Sequence, residues 1–551
     1  MLGNVADASA AAPPARVPWE ARTLDAIALL MFALIAALAL RTFRDYGLGW
    51  DDYTHSQYGE LLLALYTSGF TDTRAFSFVN LYMYGGGFDL LAAIAAKVLP
   101  FDLFETRRLV GAIVGLLGLF VTWRIGRRVG GPLAGLVAVL LLAACPLFYG
   151  HMFINAKDAP FAVAMAILLL GLVRAFQEYP RPSAATTLLF GIGLGLTIGS
   201  RIIGGLAGLY ALAAFALIVG SEVRSLGLRA AAARVGRFLL TLMPGLILAY
   251  AVLALIWPWA VLHPLNPLRA VEYFAHFFEK PWKEMFAGTI TSVPDMPRSY
   301  VPTLLALKLP EIMLALGIGG TAGALVAALR RDIPLRHRAV LLMLAMAALV
   351  PVLIAVVTRP AMYNGIRHFI FIMPPLAVLG GLAAAWLFRR IAAGRRSLAA
   401  GAALALLAGL ALPVYDMVRL HPYQYTHFNR LAGGVQAAHH RYMLDYWGLA
   451  FKQASQQLRQ RLAEGQETPT EKEWRVIVCG PERPAQVQLG PEFKTSWHNR
   501  DADFVMMTGE FYCAPIDAPV LVEVKREGVV FARVYDVRGR SISDLLTVPP
   551  P

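Results

Sequence analysis

Apolar residues run through this chain in long uninterrupted blocks rather than in the short alternations of half-buried elements. The blocks are 24–40, 109–125, 132–149, 161–176, 184–199, 203–219, 238–262, 304–329, 340–357, 369–388 and 398–414. Each has roughly the length that carries a helix across a bilayer, which predicts about eleven membrane-spanning helices. A further apolar stretch, 81–99, is interrupted by Gly85-Gly86-Gly87, Asp89 and Lys97. After Tyr415 the pattern changes. Residues 452–464 read as an amphipathic helix stopped by Gly465. Short β-like runs follow at 475–478, 504–507, 520–524 and 529–531, separated by Gly and Pro.

The fold class predicted is therefore an α-helical polytopic membrane protein with a small C-terminal α/β extracytoplasmic domain. Its parts are a cytoplasmic segment 1–23, a transmembrane domain 24–415, a juxtamembrane connector 416–466 and an α/β domain 467–551.

Composition supports this. Hydrophobic residues make up 57% of the 551 residues and charged residues 16%, and mean hydropathy is +0.56. A soluble domain is about half apolar and about a quarter charged. Soluble multidomain, disordered and collagen-like chains are thereby excluded. A net charge of +14 would suggest nucleic acid in a soluble protein. Here it reflects Arg-rich loops that fix orientation, and no nucleic-acid partner is expected. If 81–99 does not cross, the clusters Arg124/Arg127/Arg128, Arg174/Arg181, Arg224/Arg229/Arg234/Arg237, Arg330/Arg331/Arg336/Arg338 and Arg389/Arg390/Arg395/Arg396 share one side with Arg16 and Arg22. That places them in the cytoplasm, makes 81–99 a juxtamembrane or re-entrant helix, and puts the C-terminus outside. The first block reads as a retained anchor rather than a cleaved signal, since Arg41 and Arg44 follow it at once.

Polar chemistry gathers on the outer segments. The first opens Gly49-Trp50-Asp51-Asp52-Tyr53-Thr54-His55. Adjacent carboxylates beside a membrane are costly unless solvated, paired or metal-bound, and one suits a general base. Either also suits a helix N-terminal cap. The second segment carries Asn155-Ala156-Lys157-Asp158-Ala159-Pro160, where Lys157 and Asp158 can pair with each other or with a ligand, and Asp158 can cap a helix. Arg201, Arg359 and Arg367 border the same face; guanidinium forks there suit phosphate, or snorkel to the interface. No Walker A, HExxH or GxSxG sequence is present, and the histidines lack metal-ligand spacing. Three cysteines are too few for a disulfide framework. An oxidising compartment permits a bridge between Cys479 and Cys513; two separate thiols are the slightly favoured alternative, because neighbouring strands need not bring sulfurs within range.

These motifs, in this order, resemble the GT-C superfamily of membrane glycosyltransferases, and within it the bacterial relatives of protein O-mannosyltransferases and of the lipid A aminoarabinose transferase. The carriers are Asp51-Asp52, the Asn155–Pro160 segment, Tyr363-Asn364-Gly365-Ile366-Arg367-His368-Phe369, and His421-Pro422-Tyr423-Gln424-Tyr425 followed by Leu444-Asp445-Tyr446-Trp447-Gly448-Leu449. The resemblance implies transfer of a sugar from a polyprenyl-phosphate donor to an envelope acceptor, on the periplasmic side of a bacterial inner membrane, by inverting single displacement. It makes Asp51, Asp52 and Asp158 the catalytic acids. As substitutes for a donor-phosphate Lys that some relatives use, Arg201, Arg359, Arg367 and Lys157 on this face are expected as the phosphate ligands, and Tyr53, His55, Asn155, Tyr363 and His368 as substrate contacts. No cofactor is required; a divalent cation is compatible with the chemistry, but no ligand cluster calls for one. Some relatives place a Lys in a Lys-Pro-Pro stretch where this chain reads Tyr82-Met83-Tyr84-Gly85-Gly86. A transporter or flippase is the rival, although its charges belong near the midplane rather than at one face.

Overall fold

The computed structural model describes residues 19–276, 282–394, 396–469, 472–497 and 501–546. Arg16 and Arg395 lie outside them. Among the described residues nine helices are long and apolar enough to cross a membrane. The two other expected spans take altered forms. Pro132–Ala143 and Pro146–Ile154 make one pair bent by 65°, because Pro146 has no N–H with which to continue the first helix. Ala184–Ser200 is a helix of only 17 residues. It packs between Asp158–Gln177 and Leu228–Ile256. A Cβ on Gly191 would lie 2.4 Å from the Gly245 carbonyl oxygen, and one on Gly193 2.7 Å from the Leu168 backbone. Glycine is what lets this helix touch both neighbours.

The block expected as one span at 304–329 is broken into Tyr300–Lys308 and Glu311–Leu329. Pro310 separates them by removing a donor and restricting Leu309. The stretch 81–99 holds the helix Gly87–Ala96, whose 10 residues span about 15 Å, half a bilayer core. It does not cross. A Cβ on Gly85 would fall 1.6 Å from the Gly199 carbonyl oxygen, so the glycine run packs against protein rather than lipid.

The spans Asp158–Gln177 and Arg367–Ala392 are 83% and 78% buried, against 11% for Glu20–Asp45 and 17% for Ser397–Leu420. The two central helices are therefore the ones whose ends carry Asp158 and Arg367. The last long helix, Arg396–Leu420, runs past its expected end at 414.

The amphipathic helix Phe451–Glu464 leads into a five-stranded sheet. Its order is Phe493–Ser496, Trp474–Cys479, Phe504–Thr508, Val529–Asp536, Val520–Arg526. The first two pairings are parallel and the last two antiparallel. Contrary to the expectation of separate thiols, Cys479 and Cys513 are bridged, with Cα atoms 5.7 Å apart. The loop after Thr508 brings Cys513 back to the strand end at Cys479, a return that strand spacing alone did not reveal. Cys145 is free and buried. A two-stranded hairpin, Lys283–Phe286 with Thr289–Ser292, was not anticipated. Its two-residue turn, Ala287-Gly288, has both residues at positive φ, the geometry a tight hairpin needs.

Candidate active site

The adjacent acids have different surroundings. Asp52 is buried and receives two hydrogen bonds from Arg108, from Nη1 at 2.8 Å and Nη2 at 2.6 Å, and one from the Gly49 N–H at 2.8 Å. Arg108 also donates to the Gly47 carbonyl at 2.5 Å. Asp52 thus pins the loop before the helix Asp52–Thr67 to the helix Leu103–Gly130. Its oxygens are already engaged, which argues against the catalytic role expected for it. Asp51 precedes the helix, but its side chain makes no capping bond, so the cap alternative fails. Among the described residues it accepts no side-chain hydrogen bond and has no cation within 4 Å. Burial pushes its carboxyl up, but the charges led by Lys157 and Arg367 outweigh that and hold it below the usual carboxylate range.

The second loop also separates its residues. The helix cap is Asn155, whose Oδ1 accepts from the N–H groups of Lys157 (2.9 Å) and Asp158 (2.6 Å). Asp158 does not pair with Lys157. It lies 2.6 Å from Arg201 Nη2, accepts from Arg367 Nη1 at 2.9 Å, and accepts from Asn155 Nδ2 at 2.9 Å. Placed so, it orients two guanidiniums; it is not free to take a proton. Lys157 Nζ sits 4.5 Å from the centre of the Tyr84 ring, with Arg201 on the same ring at 5.9 Å. Burial lowers the Lys157 ammonium below its ordinary range, with Asp51 acting against that and Arg201 and Arg367 adding to it. Arg367 stacks on Tyr363 (5.0 Å) and Trp447 (5.5 Å), and the His368 ring packs on Tyr363 at 5.2 Å. Arg359 is the exception among the basic residues. Its guanidinium donates to the Met296 and Pro294 carbonyls, so it ties down a loop instead of joining Asp158. No hydrogen bond or ion pair joins Tyr53 to the cluster among the described residues.

Several contributors went unnoticed in the sequence. Glu284, on the unforeseen hairpin, accepts from the Asn364 N–H at 2.7 Å and the Gly365 N–H at 3.3 Å, and from the Tyr300 hydroxyl at 2.7 Å. Asn364 and Gly365 both have positive φ; their consecutive N–H groups form a nest around the carboxylate and shape the turn just before Arg367. Burial pushes the Glu284 carboxyl up to about 7. Asp89 lay within the apolar stretch 81–99, and Arg107 and Arg108 directly before the block 109–125, where charge beside a membrane was itself a signal. The Leu444–Leu449 motif is a hinge post. Asp445 accepts from Tyr425 and from the N–H groups of Leu449 and Ala450. This sets Tyr446 to bond His151 at 3.1 Å and turns Trp447 toward Arg367. Among the described residues no group of three or more His, Cys, Asp or Glu side chains could hold a metal ion.

Residues 87–259 match the family model described as dolichyl-phosphate-mannose-protein mannosyltransferase. Over nearly the whole chain the fold is similar to that of apo ArnT from Cupriavidus metallidurans, with a TM-score of 0.51, 15% identity, and 92% of this chain and 98% of that one covered. The chain therefore shares the fold of ArnT. The same ArnT bound to undecaprenyl phosphate gives a TM-score of 0.48 at 16% identity, covering 92% and 97%. AglB from Archaeoglobus fulgidus, in complex with an inhibitory peptide and a dolichol-phosphate, gives 0.48 at 14% identity, covering 89% and 69%. No curated protein matches. Within this fold, Asp51, Lys157, Asp158, Arg201 and Arg367 converge at one end of the central helices, although they lie far apart in sequence.

Proposed function

We propose that the protein transfers a sugar from a polyprenyl-phosphate donor to an envelope acceptor, at the outer face of a bacterial inner membrane. One observation carries this: an unpaired carboxylate, Asp51, faces a group of three cations that is only partly neutralised. Lys157, Arg201 and Arg367 set against Asp158 and ionised Asp51 leave one positive charge uncompensated, and two once Asp51 takes a proton. A sugar phosphodiester carries one negative charge, and the departing polyprenyl phosphate approaches two. The site therefore holds the leaving group more strongly than the donor, which is what lowers a barrier. Asp51 takes the proton of the acceptor hydroxyl or amine as it attacks the anomeric carbon. A phosphate leaving group needs no protonation, so one displacement with inversion suffices. The bridge between Cys479 and Cys513 supports an oxidising compartment for the C-terminal domain, the side opposite the Arg-rich loops.

The test uses full-length protein in nanodiscs and a panel of undecaprenyl-phosphate-linked hexoses and pentoses, with release of undecaprenyl phosphate as the readout. Asp51→Asn should lower turnover by roughly 10²-fold or more while undecaprenyl phosphate still binds. An Asp51→Asn variant with full turnover would refute the base assignment.

A further inference from the structure

Behind Asp51 stands a second ionisable group with a built support. His55 follows Asp51 by one helical turn, and its N–H donates to the Asp51 carbonyl at 3.0 Å. Its Nδ1 lies 2.6 Å from Asp89 Oδ2, and Asp89 Oδ1 accepts from Arg107 Nη2 at 2.6 Å. All three side chains are buried. A carboxylate only accepts, so Nδ1 carries the hydrogen, and in the neutral ring Nε2 is left with its lone pair. That Nε2 is buried and has no partner among the described residues. A histidine held only for structure would have both nitrogens satisfied.

His55 lines a recess with Asp51, Asp52, Asn155, Lys157 and Trp447. The recess has a volume of about 10 Å³, the space of roughly one water or hydroxyl. Trp447 Nε1 is likewise buried and unpartnered.

We propose that His55, oriented by Asp89 and Arg107, is the proton relay of this site: it receives from Asp51 the proton taken from the acceptor. The proposal rests on the transferase reading above. In the step, the acceptor O–H bond breaks as its oxygen bonds the anomeric carbon. The anomeric carbon–phosphate oxygen bond breaks, and its electron pair leaves with the polyprenyl phosphate. The proton passes to Asp51 and on to His55 Nε2, forming an imidazolium whose charge Asp89 offsets. The charges facing His55 favour this direction. Lys157 and Arg367 hold the Asp51 carboxyl in its ionised form, so a protonated Asp51 gives up its proton readily, and the Asp89 carboxylate lies 2.6 Å from the His55 ring. His55 acts through Asp51 and is a positioning and relay residue.

His55→Gln keeps a donor for Asp89 but has no nitrogen that takes a proton. In the same release assay it should lower kcat by about ten-fold or more, with donor KM little changed, a smaller loss than removing the base itself. The pH profile of kcat should differ between wild type and His55→Gln. If His55→Gln cannot bind undecaprenyl phosphate, His55→Ala supplies the test, and added imidazole should restore its turnover. Full kcat with an unchanged pH profile in His55→Gln, alongside an inactive Asp51→Asn, overturns the relay and leaves the base intact. So does a donor-binding His55→Ala that imidazole does not rescue. Full activity in both Asp51→Asn and His55→Gln overturns relay and base together.

Discussion

Replacing Asp52 by Ala should damage folding, whereas replacing its neighbour Asp51 should not. The Asp52 carboxylate is 4% exposed and receives both Arg108 donors and the Gly49 N–H. Without it, a guanidinium that is 3% exposed stays buried with only main-chain carbonyls as partners. Removing one member of a buried ion pair costs about 3–5 kcal/mol. At about 2 °C per kcal/mol or somewhat less, for a chain of this size, the midpoint should drop by about 5–10 °C. Asp51 has no such partner, so Asp51→Ala should stay within about 0.5 kcal/mol of wild type. Thermal unfolding in one detergent, followed by intrinsic fluorescence, measures both. The double variant Asp52→Ala/Arg108→Met should recover much of the loss, because it removes the stranded charge. Equal midpoints for Asp51→Ala and Asp52→Ala, or no recovery in the double variant, would refute the division of labour drawn between the two acids.

Arg367→Lys keeps a charge but loses the planar fork between Asp158 and the aromatic rings. Undecaprenyl phosphate should bind about ten-fold more weakly, as read by titration. Glu284→Gln tests the nest under the Arg367 turn. The Glu284 carboxyl is raised to about 7 from an ordinary 4.5, so between those pH values the folded state holds more protons than the unfolded one. Stability should therefore fall as pH rises from about 4.5 to 7. Chemical unfolding at several pH values should show that slope shallower in Glu284→Gln, and an identical slope would count against the burial argument. Replacing Cys479 and Cys513 by Ser should destabilise the C-terminal domain by about 3–4 kcal/mol, given the 34-residue separation of the bridged cysteines. Limited proteolysis should then cut after Gly465 before it cuts the membrane helices.

The positions of the long helices were legible because a bilayer demands a run of apolar residues, and that demand is local. The sheet strands at 474–479, 504–508, 520–526 and 529–536 were legible for a like reason. What each helix does at its ends was less so. Pro146 and Pro310 break apolar blocks that composition alone joins, and the hairpin at 283–292 is too short to leave a pattern. Asp51, Asp52 and Asp158 were all visible as candidates, since carboxylates beside a membrane need a reason. Sequence could not rank them, because rank depends on partners drawn from distant helices. Arg108, 56 residues from Asp52, engages its oxygens, and Arg201 and Arg367 do the same for Asp158. Arg359 looked equivalent to Arg367, yet two carbonyls claim it. The sequence by itself determined that this chain crosses a membrane many times and gathers its polar chemistry in the loops on one side. Only the tertiary structure decided which acid is unpaired and which histidine nitrogen has no partner. Hydrophobicity acts residue by residue along the chain, whereas the state of a charge depends on what lies within a few ångströms in space.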